Sequence, residues 1–213
     1  MNKSFSKGTS IMLKLQNLIA VFMVLCTVVL VNQTVKAQNT STGREEYTGT
    51  AISFNGPRTA TAFFNLRITG NTSNEQVPQY LSILQDRGQD AALDAIRNQN
   101  LGTFSLGNNI GRTINVVRES QVEGRRRIFI VFERWLGFGE LRGGYRSLDY
   151  PFSVIELFID DRTGQGEGTF IPAARIRLDQ DRKTSERQLE IENFAIYPVK
   201  LNNVKRVDDN RRR

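Results

Sequence analysis

The sequence predicts a mainly β (α+β) protein: an antiparallel β-barrel or sandwich of about nine or ten strands, with one short helical hairpin inserted. Three observations carry this. Short runs of β-branched and aromatic residues recur from residue 46 to residue 205. Asn, Asp, Gly and Pro separate them at spacings that leave no room for repeated crossover helices, so βαβ units are excluded. Only residues 73–98 show an apolar period near 3.6.

The chain opens on Lys3, Lys7 and Lys14 with no acid, followed by an unbroken run from Leu18 to Val31. Those 14 residues fall short of the roughly 20 that a spanning helix needs. Val35-Lys36-Ala37 then supplies small or medium residues at −3 and −1, so residues 1–37 read as an export signal cleaved after Ala37, against the lesser alternative of an uncleaved anchor. Met23, Val24 and Leu25 before Cys26 do not form a lipidation box. The mature chain is then free of cysteine and periplasmic or extracellular, held by its core alone. Residues 38–45 read as a linker, 46–205 as a single β-rich domain and 206–213 as a basic disordered tail.

Tyr47–Phe54 and Thr59–Thr69 flank Asn55-Gly56-Pro57 and read as a hairpin, with Ala60, Ala62, Phe64, Leu66 and Ile68 on the core face of the second arm. Ser73 with Gln76 forms a capping box; Val77, Tyr80, Leu81 and Leu84 make a helical stripe. Gly88 ends that helix, and Asp90 begins a second with Ala92, Leu93 and Ile96. Such a stripe reads as core contact. Strands follow at 101–106, 112–119 and 125–134, the last apolar on both faces and so central. Two more lie at 150–160 and 169–178, where Pro172 marks an edge or bulge, and the final two at 188–196 and 199–205. Gly164-x-Gly166-x-Gly168 and Gly137-x-Gly139 read as turns, since neither opens a helix that would receive a phosphate.

The chain has 29 basic and 22 acidic residues, no His and one Cys. Imidazole triads, imidazole metal ligands and cysteine zinc sites are therefore excluded. Removing the four leader lysines and the terminal Arg211, Arg212 and Arg213 leaves 22 basic against 22 acidic residues, so no nucleic-acid partner is expected. The arginine tail is a candidate contact for an anionic envelope surface. Arg125-Arg126-Arg127 reads as a solvated hairpin mouth offset by Glu119 and Glu123. The acidic, glycine-rich stretch from Asp160 to Gly168 lacks the spacing of a calcium loop, and no metal or cofactor is expected.

The segment from Glu133 to Tyr150 is the strongest candidate site. Trp135, Phe138, Arg142, Tyr145 and Tyr150 offer rings and charge to a ligand, and its glycines allow close approach. Glu133, Glu140 and Glu156 are weak catalytic candidates, because a carboxylate pair hydrolyses glycans without histidine; pairing with Arg134, Arg142 and Arg146 is the competing expectation. The block Asp149-Tyr-Pro-Phe, Glu156-Leu, Gly166-Glu-Gly-Thr, Ile171-Pro-Ala-Ala-Arg175, Leu189-Glu-Ile-Glu192 and Tyr197-Pro resembles an uncharacterised group of exported bacterial β-rich proteins. That resemblance implies a β-rich fold and export, and carries no known activity or site. The strand count resembles lipocalin-like barrels in architecture only, since their Gly-x-Trp signature is absent. Three functional expectations follow: a non-enzymatic binding or structural protein for an apolar or amphipathic ligand, a carboxylate-pair hydrolase, and an envelope-associated structural protein.

Overall fold

The computed structural model describes residues 43–55, 58–134, 149–180, 187–194 and 198–207. The expected export signal, the terminal arginines and most of the segment between Glu133 and Tyr150 lie outside the described residues. Ten antiparallel strands form one sheet: β1 (Glu45–Asn55), β2 (Arg58–Ile68), β3 (Gly102–Leu106), β4 (Arg112–Thr113), β5 (Val116–Val122), β6 (Arg125–Glu133), β7 (Phe152–Asp160), β8 (Gln165–Gln180), β9 (Arg187–Asn193) and β10 (Val199–Arg206). Their order is β4-β3-β2-β1-β10-β8-β7-β6-β5, with β9 added to β8. The helix α1 (Gln76–Arg97) lies between β2 and β3 in the chain.

The ladder is open, since β4 and β5 are its two ends. Yet the segment expected as one strand from 112 to 119 divides between them. Three peptide steps from Thr113 to Val116 span at most about 11 Å, so the sheet curls until its ends stand side by side. Ile114 exchanges backbone hydrogen bonds with the β3 side: its N–H donates to the Gly102 carbonyl and its carbonyl accepts from Leu101, both at 2.9 Å. The next residue turns to the other side, the Asn115 N–H donating to Val131 at 3.2 Å. Asn115 is buried, and its side chain completes the seam. Its Nδ2 donates to the carbonyls of Gln99 (2.9 Å) and Arg97 (3.3 Å), and its Oδ1 accepts from the Glu133 N–H (3.1 Å).

Alternation divides the apolar residues into two cores. Ile128, Ile130 and Phe132 of β6, Ile155, Leu157 and Ile159 of β7, and Phe64 and Leu66 of β2 fill the inner face. Phe129 and Val131 of β6 and Phe152 and Val154 of β7 point outward, beneath Leu93 and Ile96 of α1. The two apolar faces of β6 are thus explained by interior on one side and helix on the other. The capping box forms as expected: the Ser73 N–H donates to Gln76 Oε1, and the Gln76 N–H to Ser73 Oγ. Gly88 interrupts α1 with φ 82° and ψ −169°. Beyond the break, the Gln89 side chain donates to the Ile176 carbonyl and accepts from its N–H, pinning the helix to β8.

Two turn assignments need correction. Ser120 to Gly124, which the expected strands 112–119 and 125–134 leave as a hairpin connection, is mostly strand: the β5–β6 turn is only Glu123-Gly124, both at positive φ, as a tight hairpin with strand-matching twist requires. Gly166 and Gly168 lie within β8, not in a turn. A Cβ at either would collide with the β7 carbonyls of Phe158 and Glu156, so these glycines let two backbones approach closely.

Candidate ligand-binding cavity

The two ends of the curled interior differ in chemistry. At one end Arg126, 8% exposed, reaches across the interior from β6 to β1. Its Nη1 and Nη2 donate to Glu45 Oε1 and Oε2 at 3.0 and 2.7 Å, and its Nε donates to Glu119 Oε2 at 2.8 Å. The Tyr47 hydroxyl donates to Glu45 at 2.9 Å, and Asn71 donates to the second oxygen of Glu119. This is a bidentate, charge-assisted plug. Burial alone would raise the Glu45 pKa, but the hydrogen bonds and charge of Arg126 outweigh it and hold the carboxyl below its ordinary value. Burial pushes the Tyr47 hydroxyl up, so it stays protonated and donating.

The arginine run is therefore neither an anion patch nor wholly solvated. Arg125 pairs with Glu167 (3.1 Å) and lies over the Phe158 ring. Arg127 pairs with Glu156 (2.6 Å) and lies over Phe129. Glu119 offsets the run as expected, but the dominant partner, Glu45, comes from β1.

The other end, eight residues and about 27 Å along β6, opens into a cavity of about 500 Å³. That volume is within the roughly 300–1,000 Å³ usual for small-molecule sites. The rings of Phe104, Phe132 and Phe170 form its floor: Phe104 lies 5.9 Å from Phe132 and 5.1 Å from Phe170, and Phe132 stacks on Phe170 at 6.3 Å. Asn109 and Ile110 reach its rim, Ile110 being 88% exposed. Pro172 and Ala173 enter its wall because β8 bulges there, these two residues opposing the single Ser153 of β7 across the shift between Phe152 and Val154. The Ser153 hydroxyl fastens the bulge by donating to the Pro172 carbonyl at 2.9 Å. A bulge that re-aims residues beside a site is a recurrent device, and Pro172 is its sequence signal.

Two arginines also line the cavity. Arg112 is the direct cross-strand partner of Phe104, so the two side chains leave the sheet on one face. Arg134 follows Phe132 by two residues, which returns it to the same face of the chain. Among the described residues no carboxylate joins them in the lining.

Of the expected site residues, Tyr150, Glu133 and Glu156 fall among the described residues. Trp135, Phe138, Glu140, Arg142 and Tyr145 lie outside the described residues, although Trp135 directly follows Arg134 in the chain. Tyr150 packs behind the lining, its ring 5.0 Å from that of Phe194 and its hydroxyl donating to Glu192 at 2.6 Å. Glu133 and Glu156 both leave the outer face, and their partners are Arg97 (3.3 Å) and Arg127 rather than Arg134. Glu133 lies opposite Phe152, four residues from Glu156, so their backbones stand about 13 Å apart. The sheet therefore does not bring these two together as a hydrolytic pair.

Among the described residues no helix is long and apolar enough to cross a membrane, and no group of three or more His, Cys, Asp or Glu side chains could hold a metal ion. No protein-family model, curated protein or solved structure matches the chain.

Proposed function

We propose that this protein is an exported, non-enzymatic binding protein whose apolar or amphipathic ligand occupies the cavity at the open end of the curled sheet. The observation that carries this reading is the floor of Phe104, Phe132 and Phe170 beneath a space of about 500 Å³. The rings are themselves buried, and Leu106, Ile110, Pro172 and Ala173 carry the apolar lining on from them, so an apolar group that enters this space leaves water. Export is supported by the basic, apolar and small-residue order of residues 1–37.

Thermal-shift measurements with lipids, glycans and pigments test the reading. An amphipathic ligand at a hundredfold excess over its Kd raises Tm by about 5–10 °C in a chain of this size. Ala173→Phe, which fills the cavity from its wall, abolishes the shift while leaving the far-ultraviolet circular dichroism unchanged. No shift with any class, or an undiminished shift in the filled variant, overturns the proposal.

A further inference from the structure

The helix α1 packs on the outer face of β6, β7 and β8. Further round the sheet, the outer face of β1, β2 and β10 has no such cover among the described residues. Tyr47 and Ala51 of β1 are buried on the inner side, so alternation sends Ile52 and Phe54 outward. Thr50, on the same outer row, lies directly opposite Phe63 of β2, which puts the Phe63 ring on that face too. Phe63 is 78% exposed and Phe54 44%. Rings so bare add nothing to the core, and water hydrates them at a cost. The charge beside them is of one sign. Lys200 stands opposite Ile52 and Lys205 opposite Thr48, so both ammonium-bearing side chains leave the sheet on the face of the rings. Both are exposed, and neither has a carboxylate partner among the described residues. The acids at the margins are answered: Glu46 stands opposite Arg67, and Glu167 pairs with Arg125 at 3.1 Å. Between rings and lysines the face is neutral, with Thr48, Thr50, Thr59 and Thr61 on its outward rows.

We infer that this face docks on an anionic lipid surface. Phe54 and Phe63 enter the boundary between head groups and acyl chains, and Lys200 and Lys205 meet the phosphates. Exposed rings beside unpaired cations are what such a surface holds, since it supplies an apolar layer beneath a negative one. A folded protein partner fits less well. The two rings offer at most about 500 Å² between them, short of the roughly 800 Å² that each side of a stable protein interface covers. A bilayer needs no shape-matched area, because its head groups part around each ring. The docking face is separate from the cavity, so it stands or falls without the occupant proposed there.

The test is fluorescence quenching of the whole protein by vesicles of phosphatidylcholine and phosphatidylglycerol in equal parts, with bromine on the acyl chains. Phe63→Trp places a reporter on the docking face, and Gln85→Trp places one on the exposed side of α1. Each is read against the parent chain, whose sole tryptophan is Trp135. Position 63 is quenched and position 85 is not. That contrast is independent of any hold that the apolar run from Leu18 to Val31 has on the vesicle, because the run does not choose a face. Changing Lys200 and Lys205 together to Gln lowers the partition behind the quenching about twentyfold, at about fivefold for each basic side chain. Tm stays unchanged, because both side chains are exposed. Vesicles of phosphatidylcholine alone, or high salt, weaken the quenching likewise. Equal quenching at both positions, or none at position 63, overturns the inference. Undiminished quenching in the double lysine variant does so too, since the surface met would then not be recognised by its charge.

Discussion

Arg126 shows what a single residue does here. It joins β1, β5 and β6 through Glu45 and Glu119 inside the fold. Arg126→Met leaves two buried carboxylates without their counter-charge and lowers unfolding free energy by about 3–5 kcal/mol. Replacing Glu45 and Glu119 by Leu in the same chain recovers much of that loss, because the desolvated charges are then gone. Both are measured by urea denaturation. The pH dependence has a definite sign. The Glu45 carboxyl is held below its ordinary value in the folded protein, so its stabilisation is present above the unfolded value of about 4.3 and is lost as pH falls through the lower folded value. Glu45→Gln flattens this acid limb. Sequence reading identified Glu119 as a partner of the arginine run because the two lie on adjacent arms of one hairpin. It missed Glu45, 81 residues away, because a contact across the interior leaves no local signal.

At the level of elements, α1 was the most legible part of the chain. Capping, breaking and facing are local properties, and Ser73, Gln76, Gly88 and the Leu93/Ile96 stripe each carry their own signature. Gly88 has open space where a Cβ would go, yet its dihedrals lie in a region essentially reserved for glycine. Gly88→Ala therefore costs about 1–3 kcal/mol through backbone strain alone. A smaller loss in thermal denaturation would show that the break relaxes. The glycines of β8 were misread for the opposite reason. Gly166 and Gly168 look like turn residues in sequence, but their role is set by the β7 carbonyls beside them, which no reading of β8 alone contains.

For the whole molecule, the strand texture predicted an antiparallel assembly and its approximate strand number, because alternation and turn chemistry repeat every few residues. It could not predict the split at Ile114–Asn115, where one chain segment changes neighbours in the middle of an apparently continuous strand run. Nor could it assemble the cavity, whose Phe104, Arg112, Phe132 and Phe170 come from four strands; only the Pro172 bulge left a trace. Asn115 is the critical joint. Asn115→Leu leaves the Glu133 N–H and the Arg97 and Gln99 carbonyls without their side-chain partner, at about 1–3 kcal/mol for each buried group left unsatisfied. Hydrogen exchange should rise first at Glu133 and Val117, and unchanged protection there would show that the seam does not depend on Asn115.

The strand order also has a temporal meaning. β1 hydrogen-bonds to β10, so the first and last strands of the sheet are neighbours. While the ribosome is still adding residues before Val199, β1 and β8 each present a bare row of amides and carbonyls. The sheet therefore cannot lock until β10, the last of its ten strands among the described residues, has been made and has paired with β1 and β8.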